Sequence, residues 1–505
     1  MARLAVGLLG LALSPCQLAP QSPTSAVGAG TEILLARDHW AARAALAHQV
    51  RSPTTGAIDH GSGWVRLQEV ALVLAAAADS GASGDRESAR ASLDRLIAEF
   101  ASGDAPGIFG PIGPFGDFGA GLRVTSGALA TRSGTLTLSD GKFGFRDEIP
   151  AIPRPNATSL RPVGFALAKL GPVSLAVSGR EGATGRGADS YFAAVGAGPL
   201  TVWGGQFTPR YGPGRSGSLI FRGDVPVRGA GFSLRRPMRL PWVLRHLGDL
   251  RLETFLAPLE RSRERVDPWL WGGRLSLTPH PRLSIAASRA AMFGGRGNGG
   301  FDLGDFARVL AGLRDTPPPF ENQLAAVDIS FLPPLGRWPV AVYVEWGAED
   351  SAGSWAQVPG LITGARVAGL PFLAALSVTV EHVYLAGSCC GNPPWYWHGF
   401  FPGGWTVDGE ALGHALGGQG HETRLGLDVD AGARLAAAAD VFFRRRRAEN
   451  LYAPARSGGS YGGRLRLTAD LSSRTALKID ALGEFGDSDW RLVRILAGGT
   501  VRLRR

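Results

Sequence analysis

The sequence predicts a mainly β protein: a transmembrane antiparallel β-barrel of about 18 strands with a small N-terminal α-helical bundle. Three observations lead to this prediction. From Leu122 onward the apolar residues mostly alternate with polar or small ones, as in strands with one buried face. Connections between these runs alternate between short and long, which is typical of outer-membrane barrels and not of soluble sandwiches. Past the first residues, no apolar run approaches the roughly 18 residues that a membrane helix needs.

The first residues have the features of a secretory signal. Met1-Ala2-Arg3 precedes the apolar run of residues 4–13, and a charged start before a short apolar stretch is typical of export signals. We therefore expect residues 1–22 to be a signal peptide, with the cleavage site left open. Lipidation at Cys16 is the alternative, although Ser14-Pro15 makes a poor lipoprotein box. An exported chain without spanning helices must enter lipid as a closed barrel, since open sheet edges leave backbone groups unpaired.

Charge and cysteine content narrow the function classes. The 505-residue chain has a formal net charge of +10, and arginine supplies almost all of its 53 cations. A GC-rich genome explains this bias simply, and selection for bidentate binding of carboxylate or phosphate is the alternative. The cysteines other than Cys16 are the adjacent Cys389 and Cys390, which give no disulfide framework and no metal-ligand spacing. A vicinal disulfide between them stays open.

Residues 23–105 are predicted to form a helical bundle on the periplasmic side of the membrane. Apolar residues follow the helical i, i+3, i+4, i+7 spacing at Leu67, Val70, Ala71 and Leu74, and again at Leu93, Leu96, Ile97 and Phe100. Ser83 or Asp85 is placed to cap the third helix. Because three short helices bury little surface alone, we expect them to dock on a larger body.

Residues 106–505 are predicted to form the outer-membrane barrel, and the alternation predicts which side chains face inward. Tyr343 and Glu345 point one way, while the neighbouring valines and Trp346 point the other. Arginine in lipid costs about 2–4 kcal/mol and acids somewhat less, so ionisable residues within strands should face the lumen and pair there. These are Glu253, Arg274, Asp328, Glu345 and Glu381. An even strand number with both termini on one side indicates that residues 122–129 are a lead-in rather than a strand.

Loop lengths sort the connections onto two ends of the barrel. Short connections are expected at 170–172, 196–199, 278–281, 333–338, 369–372, 430–433 and 471–474. Long connections are expected at 208–227, 293–321, 347–360, 386–420 and 444–461. One connection, 235–249, is long yet falls on the short-turn side. Because outer-membrane barrels keep their short turns in the periplasm, the long connections should face outward.

The longest outward connection is rich in aromatic residues and supplies most of the candidate ligand-binding residues. They are Trp395, Tyr396, Trp397, His398 and Trp405, accompanied by Phe400 and Phe401. Flat aromatic faces can stack on sugar rings while their polar tips bind hydroxyl groups. An interfacial aromatic girdle, or a loop that packs on itself, is the alternative.

Four consecutive arginines follow a predicted strand and enter a long connection, at Arg444, Arg445, Arg446 and Arg447. On an outward loop they would pair with lipopolysaccharide phosphates or with an acidic polysaccharide. A plain solvated charge run is the alternative. Nucleic acid is not an expected partner of an exported barrel, despite the basic net charge.

Catalytic motifs are not evident in the sequence. It contains no G-x-S-x-G, no phosphate-binding loop and no H-E-x-x-H pattern. The histidines His246, His280, His382, His398, His414 and His421 are scattered over turns, a strand and a loop. We therefore expect no enzymatic activity, no cofactor and no metal site.

Four stretches of the chain are distinctive by their order and spacing. They are WGGQFTPRYGPGRSGSLIF, MFGGRGNGGFDLGDFARVLAGLRD followed by NQLAAVDISF, VAVYVEWGAED, and YWHGFFPGGWTVDGEALGHALGG. Together they resemble the Wzi family of outer-membrane capsule assembly proteins, and the helical segment lies where that family has a helical bundle. The resemblance implies a blocked barrel of about 18 strands and a lectin-like role in holding exported capsular polysaccharide. Arg210 and Tyr211, in the first stretch, complete the candidate ligand-binding residues.

Three functions are compatible with these expectations. The favoured one is an outer-membrane protein that binds capsular or exopolysaccharide and helps to assemble or anchor it on the cell surface. A diffusion porin or transporter is the second, and an outer-membrane hydrolase is the third. The expected partners are surface polysaccharide, lipopolysaccharide and outer-membrane lipid, and a monomer is the expected state.

Overall fold

A computed structural model describes most of the chain after its N-terminal segment. The described residues are 34–36, 40–53, 58–59, 61–62, 64–80, 83–100, 118–131, 134–135, 158–170, 173–182, 185–223, 225–260, 267–298, 302–311, 321–349, 359–370, 373, 375–387, 395–407, 410–431, 435–447, 450–452, 456–472, 475–487 and 490–503. The predicted signal peptide with Cys16, and the pair Cys389 and Cys390, lie outside the described residues.

The N-terminal part forms helices and a small sheet. Its helices are α1 (Trp40–Arg51), α2 (Leu67–Ser80) and α3 (Ser83–Phe100). A short strand, β1 (Leu34–Ala36), pairs antiparallel with β2 (Trp64–Arg66). The helical spacing seen in the sequence marks the buried faces, because Val70, Leu74 and Leu96 all lie in the core between the helices.

Strands dominate the rest of the described chain. They are β3 (Phe118–Thr131), β4 (Gly134–Thr135), β5 (Thr158–Leu170), β6 (Val173–Gly182), β7 (Gly185–Ala197), β8 (Leu200–Phe207), β9 (Val227–Leu234), β10 (Met238–Arg239), β11 (Asp249–Pro258), β12 (Pro268–His280), β13 (Leu283–Gly294), β14 (Glu321–Phe331), β15 (Val340–Glu349), β16 (Gly360–Val367), β17 (Leu376–Leu385), β18 (Thr406–Val407), β19 (Glu410–Ala411), β20 (Gly420–Ala431), β21 (Leu435–Arg446), β22 (Gly458–Asp470), β23 (Thr475–Gly486) and β24 (Arg491–Leu503). A 3₁₀ helix (Trp242–Leu247) and α4 (Leu303–Ala311) lie in connections.

Strand pairing closes the large sheet on itself. Its strands pair antiparallel in chain order, β24 returns to β3, and β9 pairs with β11. Of its 20 strands, β4 and β10 are two-residue strands at the margins, which leaves 18 in the closed cycle over the described residues. The predicted barrel is confirmed. The expectation that residues 122–129 are only a lead-in is wrong, because they belong to β3, which pairs with both β24 and β5.

Side-chain burial along the strands is inverted relative to a soluble protein. In β20, Glu422 and Arg424 are buried while Leu425 and Leu427 are exposed. In β21, Val441 is 64% exposed although it lies beside buried charged residues. Large apolar side chains are exposed on most of the described strands, among them Leu256, Trp269, Ile285, Ile329, Trp346, Val380, Phe443, Leu465 and Ile495. An apolar outer belt around a polar interior is the arrangement of a barrel in lipid.

The two ends of the barrel differ in their connections, as the loop lengths predict. At one end, the short-turn end, adjacent strands are joined by two to four residues at 171–172, 198–199, 281–282, 432–434 and 471–474. Two further short connections, 183–184 and 487–490, lie at the opposite end. The other end, the long-loop end, carries the connections 208–226, 295–320, 350–359, 386–419 and 447–457. The exception, residues 235–248, is confirmed as a long connection at the short-turn end, where it holds β10 and the 3₁₀ helix.

Two long connections fold into the lumen instead of extending outward. The inserted segment (residues 208–223) reaches down until Arg215 Nη1 lies 2.5 Å from Asp428 Oδ2, close to the short-turn end of β20. The cap (residues 395–407 and 410–419) covers it at the long-loop end. Buried side chains of both parts form one core with the barrel wall, among them Tyr211, Leu219, Phe221, Trp395, Tyr396 and Trp405. The lumen is therefore packed with protein.

The helices dock on the short-turn end. The guanidinium of Arg51 donates to the carbonyl of Ala368, 2.8 Å away, and Val50 packs against the barrel wall. Asp59, in the connection after α1, reaches into the lumen and pairs with Arg274. Within the described residues, no helix is long and apolar enough to cross a membrane.

The lumen-facing residues predicted from the strand pattern lie where expected. Arg274, Asp328, Glu345 and Glu381 are buried, and Glu253 is half-buried and accepts a hydrogen bond from Ser62 Oγ at 3.2 Å. Arg274 Nη1 lies 2.5 Å from Asp328 Oδ2. Opposite charges inside the barrel thus compensate one another, which offsets the cost of removing them from water.

Candidate functional site

The cap is held in place by hydrogen bonds to the inserted segment and the wall. Tyr396 Oη donates to the carbonyl of Leu219 at 2.7 Å, and Trp405 Nε1 donates to the carbonyl of Ile220 at 2.9 Å. The backbone N–H of Tyr396 donates to Glu349 Oε2 at 2.6 Å. Aromatic donors on one loop therefore satisfy buried carbonyls of the other, which packs the two loops into a single body.

Burial corrects the prediction that the aromatic residues of this loop form an exposed stacking surface. Trp395, Tyr396 and Trp405 are each at most 1% exposed, and Tyr211 is fully buried, so none offers a face to a ligand in this structure. Tyr211 instead packs edge-to-face on Phe221, with ring centroids 5.2 Å apart. The physical reason is that their apolar rings gain more by filling the lumen than by facing water. Of the three interpretations of this loop, packing inside the protein describes these residues, and their partners lie in the inserted segment as well as in the loop itself.

A smaller set of cap residues keeps partial exposure. Trp397, His398 and Phe400 are half-buried, and Gly399 between them is exposed. Phe400 lies edge-to-face on buried Phe401, with centroids 5.1 Å apart. The backbone N–H of Phe400 donates to His398 Nδ1 at 3.2 Å. Burial lowers the pKa of His398 to about 4, so at neutral pH its imidazole is uncharged and offers Nε2–H as a donor.

The arginine run lies mainly within β21, not in the loop after it, and this corrects its predicted position. Arg444 and Arg446 face the lumen and are buried, because strand side chains alternate. Arg444 Nε lies 2.5 Å from Glu422 Oε2, and Arg446 Nη1 lies 2.7 Å from Glu484 Oε1. Arg444 also stands over the Phe442 ring at 4.1 Å. These two arginines are buried and form ion pairs in the interior of the barrel.

Arg445 and Arg447 are exposed at the long-loop rim of the barrel. Together with His421, Arg446 and Gly458 they line a recess of about 490 Å³. Among the described residues, neither guanidinium forms an ion pair. His421 stacks on His382, with ring centroids 6.3 Å apart. Below this rim the outer wall carries exposed aromatic side chains, at Tyr384, Phe443, Tyr461 and Phe485, so a cationic level lies directly above an aromatic one.

A serine, a histidine and a glutamate meet inside the lumen, a combination that sequence reasoning did not connect. The backbone N–H of Leu416 donates to His414 Nδ1 at 3.1 Å, so the proton of the ring is on Nε2, which lies 2.8 Å from Ser216 Oγ. Ser216 Oγ in turn donates to Glu381 Oε1. The histidine therefore donates to the serine rather than accepting its proton, which is the opposite of an activated nucleophile. Burial lowers the pKa of His414 to about 4, consistent with this neutral form.

Arg210 lies in the inserted segment and faces the interior, not an outer loop. It is half-buried and donates to the carbonyl oxygens of Gly214 and Arg222. The predicted site residues thus divide into three groups. Trp395, Tyr396, Trp405, Arg210 and Tyr211 build the packed interior; Arg444 and Arg446 lie in the ion-pair network; and Trp397, His398, Arg445 and Arg447 reach the surface. Within the described chain, no group of three or more His, Cys, Asp or Glu side chains is placed to hold a metal.

Comparison with known proteins agrees with this architecture. The family described as "Capsule assembly protein Wzi" matches residues 152–493. A protein from the cps region of Klebsiella pneumoniae, described as an uncharacterized 55.8 kDa protein, is 32% identical over 155 residues. That match spans 30% of this chain and 30% of the relative, so it covers under a third of the relative's length.

A solved structure shares the fold over nearly the whole chain. It is described as Wzi, an outer membrane protein involved in group 1 capsule assembly in Escherichia coli and a carbohydrate binding β-barrel. The superposition has a TM-score of 0.68 at 18% identity and covers 94% of this chain and 100% of the other. At that identity the likeness establishes the fold.

Proposed function

Because the chain belongs to the capsule assembly protein Wzi family, we propose that it binds capsular or exopolysaccharide at the outer membrane and helps to assemble or anchor it on the cell surface. The observation that carries the proposal is the packed lumen, since inserted segment and cap fill the space that a porin leaves to water. A barrel of this kind acts through its outer surface. The E. coli structure is described as carbohydrate binding, which supports the same substrate class.

The proposed sugar contact is the half-buried part of the cap. Trp397 and Phe400 pack on the buried core of the cap, so their rings are rigid and lose little conformational freedom when a sugar stacks on them. His398 lies between them and is neutral at physiological pH. A neutral imidazole suits hydroxyl groups, whereas a fixed cation would select acids. Trp395, Tyr396 and Trp405 then serve as the support that positions this surface.

The rim arginines are proposed to contact lipopolysaccharide. Arg445 and Arg447 are exposed, carry no ion pair within the described residues, and lie above the aromatic level of the outer wall. Aromatic side chains of barrels mark the membrane–water interface, so the cationic level coincides with the phosphate groups of the outer leaflet. Guanidinium groups bind phosphate in a bidentate way. The outer-membrane lipid itself would contact the apolar belt.

We propose that the barrel stands with its long-loop end at the cell exterior. The cap faces outward, and the short-turn end with residues 23–105 lies in the periplasm, as short turns do in outer-membrane barrels. Residues 1–22 serve as the signal peptide, residues 106–505 form the barrel, and the protein acts as a monomer. Neither an enzymatic activity nor a cofactor is part of the proposal. The direction of the His414–Ser216 hydrogen bond argues against a serine nucleophile at that site.

Retention of polymer on cells tests the proposal. In a capsulated host lacking its own copy, we expect full polymer synthesis but increased release into the medium. Wild-type protein should restore cell-bound polymer, and the double variant Trp397→Ala, His398→Ala should not, at equal levels of folded barrel in the membrane. Trp338→Ala, which changes a part-exposed tryptophan at the opposite end, is the matched control. Equal retention with and without the protein would overturn the proposal.

A further inference from the structure

A cavity of about 120 Å³ lies between α1, the inserted segment and the barrel wall, towards the short-turn end. It is far larger than the roughly 10–15 Å³ that one water molecule needs. Among the described residues, its lining carries five guanidinium groups and one carboxylate: Arg43, Arg210, Arg215, Arg366 and Arg466, with Asp428. The arginines come from a helix, a lumenal loop and two strands, so the fold itself brings these like charges together.

The carboxylates around the cavity do not balance its cations. Asp428 is shared by three arginines, with Arg215 Nη1 at 2.5 Å, Arg366 Nη2 at 3.7 Å and Arg43 Nη1 at 4.0 Å. Asp440, just beyond the lining, lies 2.6 Å from Arg215 Nε and 3.4 Å from Arg466 Nη2. Glu381 accepts from the backbone N–H of Arg215 at 2.5 Å. Counting these three acids and Glu345, which interacts electrostatically with Arg210, against five arginines leaves one more cation than carboxylates among the described residues, which favours a bound anion.

The hydrogen bonds of the arginines are also incomplete. The 4.0 Å between Arg43 and Asp428 exceeds hydrogen-bond distance. The Nε atoms of Arg43 and Arg466 are buried without a hydrogen-bond partner among the described residues, a state that native proteins avoid because buried donors need acceptors. An oxyanion in the cavity would supply acceptor oxygens to such groups.

The site is pre-formed and reachable by a small ligand. The side chain of Arg215 packs against Gly426, where a Cβ atom would lie 2.0 Å from Arg215 Nε. A side chain at position 426 would therefore displace the guanidinium of Arg215. Arg43 and Arg466 retain 21% and 33% side-chain exposure although their Nε atoms are buried. Their outer nitrogens therefore line space that solvent can enter.

We propose that this cavity binds a tetrahedral oxyanion, of the phosphate or sulfate class. Guanidinium forks match the paired oxygens of such an ion. The bound anion links α1 through Arg43 to the wall through Arg366 and Arg466, and to the inserted segment through Arg215. It thereby holds the helical part on the barrel. This role is independent of polysaccharide binding at the cap.

Oxyanion-dependent stability tests the proposal. Full-length protein in detergent, dialysed against chloride, is titrated with phosphate or sulfate while chloride keeps the ionic strength constant. The wild type should show a saturable rise of about 2 °C or more in Tm. In Arg43→Gln, the oxyanion concentration that gives half of the Tm rise should be at least about tenfold higher. Arg337→Gln, at an exposed position of the short-turn end outside the cavity, should respond like the wild type.

If Arg43→Gln does not fold, wild-type crystals soaked in tungstate, a heavy tetrahedral oxyanion, test the site by anomalous scattering. An anomalous peak within bonding distance of Arg43 and Arg215 supports the site. The proposal is overturned if phosphate acts no differently from chloride, if Arg43→Gln responds like the wild type, or if tungstate leaves the cavity empty.

Discussion

Arg274 joins the helical part to the barrel interior, and replacing it with methionine should destabilise the protein strongly. Its guanidinium donates to Asp328 from Nη1 at 2.5 Å and Nη2 at 3.1 Å, to Asp59 from Nε at 3.1 Å, and to Ser288 Oγ at 3.0 Å. All of these contacts lie away from solvent, since Arg274 is 3% exposed. The variant leaves two carboxylates buried without their cation, which costs about 3–5 kcal/mol.

The magnitude can be measured as a change in Tm at a fixed scan rate in detergent. An unfolding entropy of about 2 cal/mol/K per residue converts this loss into a fall of about 3–5 °C for a chain of this size. Arg296→Met is the matched control, because its ion pair with Asp267 is at the surface, with side chains 76% and 40% exposed. Surface pairs contribute little, so the control should melt with the wild type. Equal Tm values for Arg274→Met and Arg296→Met would refute the reasoning.

The destabilisation caused by Arg274→Met should depend on pH, because Arg274 pairs with the carboxylate of Asp59. Burial raises the pKa of this carboxyl, but attraction to Arg274 outweighs it and holds the pKa well below its usual 3.8. The ion pair therefore stabilises the fold above about pH 4 and loses this contribution as the pH falls further, when the unfolded chain takes up the proton first. The Tm difference between wild type and Arg274→Met should be largest near pH 7 and should narrow as the pH falls towards 3, because the buried carboxylates of the variant are stabilised by protonation. A difference that widens on acidification would contradict this account.

Three further predictions follow from the site. Burial lowers the pKa of His414 from 6.5 to about 4, so the free energy of unfolding of the wild type should fall by about 3 kcal/mol between pH 6.5 and 4, because only the unfolded chain binds the proton in this range. In His414→Gln, the urea midpoint should depend less steeply on pH. An unchanged dependence of the urea midpoint on pH would contradict the prediction. The double variant Arg445→Ser, Arg447→Ser should copurify with at least about threefold less lipopolysaccharide than the wild type, measured as phosphate content. The control variant Arg236→Ser, Arg337→Ser, changed at the opposite end, should copurify with as much as the wild type. Equal phosphate content in both variants would contradict the contact at the rim. In planar bilayers the protein should show no steady open channel, because its lumen is packed; stable conductance would favour a porin.

The barrel could be predicted from sequence because lipid imposes a strict rule on strands. Val342 and Trp346 must face outward and Glu345 inward, and a polar residue on the wrong face costs several kcal/mol in lipid. Loop lengths add a second constraint that acts on the whole chain. Neither signal depends on tertiary contacts, which is why the strand number and the placement of the long connections agree with the structure, although the short connections 183–184 and 487–490 lie at the long-loop end.

The course of the long connections could not be predicted in the same way. A loop with Trp395, Tyr396 and Trp405 has the same composition whether it faces a sugar or fills a lumen, and no periodicity distinguishes the two. The hydrogen-bond partners determine which of the two occurs. The carbonyls of Leu219 and Ile220 accept hydrogen bonds from the side chains of Tyr396 and Trp405. These residues lie more than 170 positions away in the chain, so local reasoning does not find them.

The arginine run contained a signal that local reasoning could have used further. Ala436, Ala438 and Phe442 are buried on the inward side of β21, and continuing that alternation places Arg444 and Arg446 inside and Arg445 outside. The four arginines are predicted to lie in a solvated loop only if β21 is assumed to end before Arg444. Strand ends are the least certain part of a pattern-based prediction, since pairing with β20 and β22 extends the strand to Arg446.

Binding of surface polysaccharide to the purified protein tests the central claim most directly. Wild-type protein, Trp338→Ala, and the double variant Trp397→Ala, His398→Ala are immobilised at equal folded amounts and exposed to capsular polymer from the host. We predict equal, saturable binding by the first two proteins and at least about tenfold weaker binding by the double variant, because two stacking or hydrogen-bonding groups are lost from the cap. Absence of binding by the wild type, or equal binding by all three proteins, would contradict it.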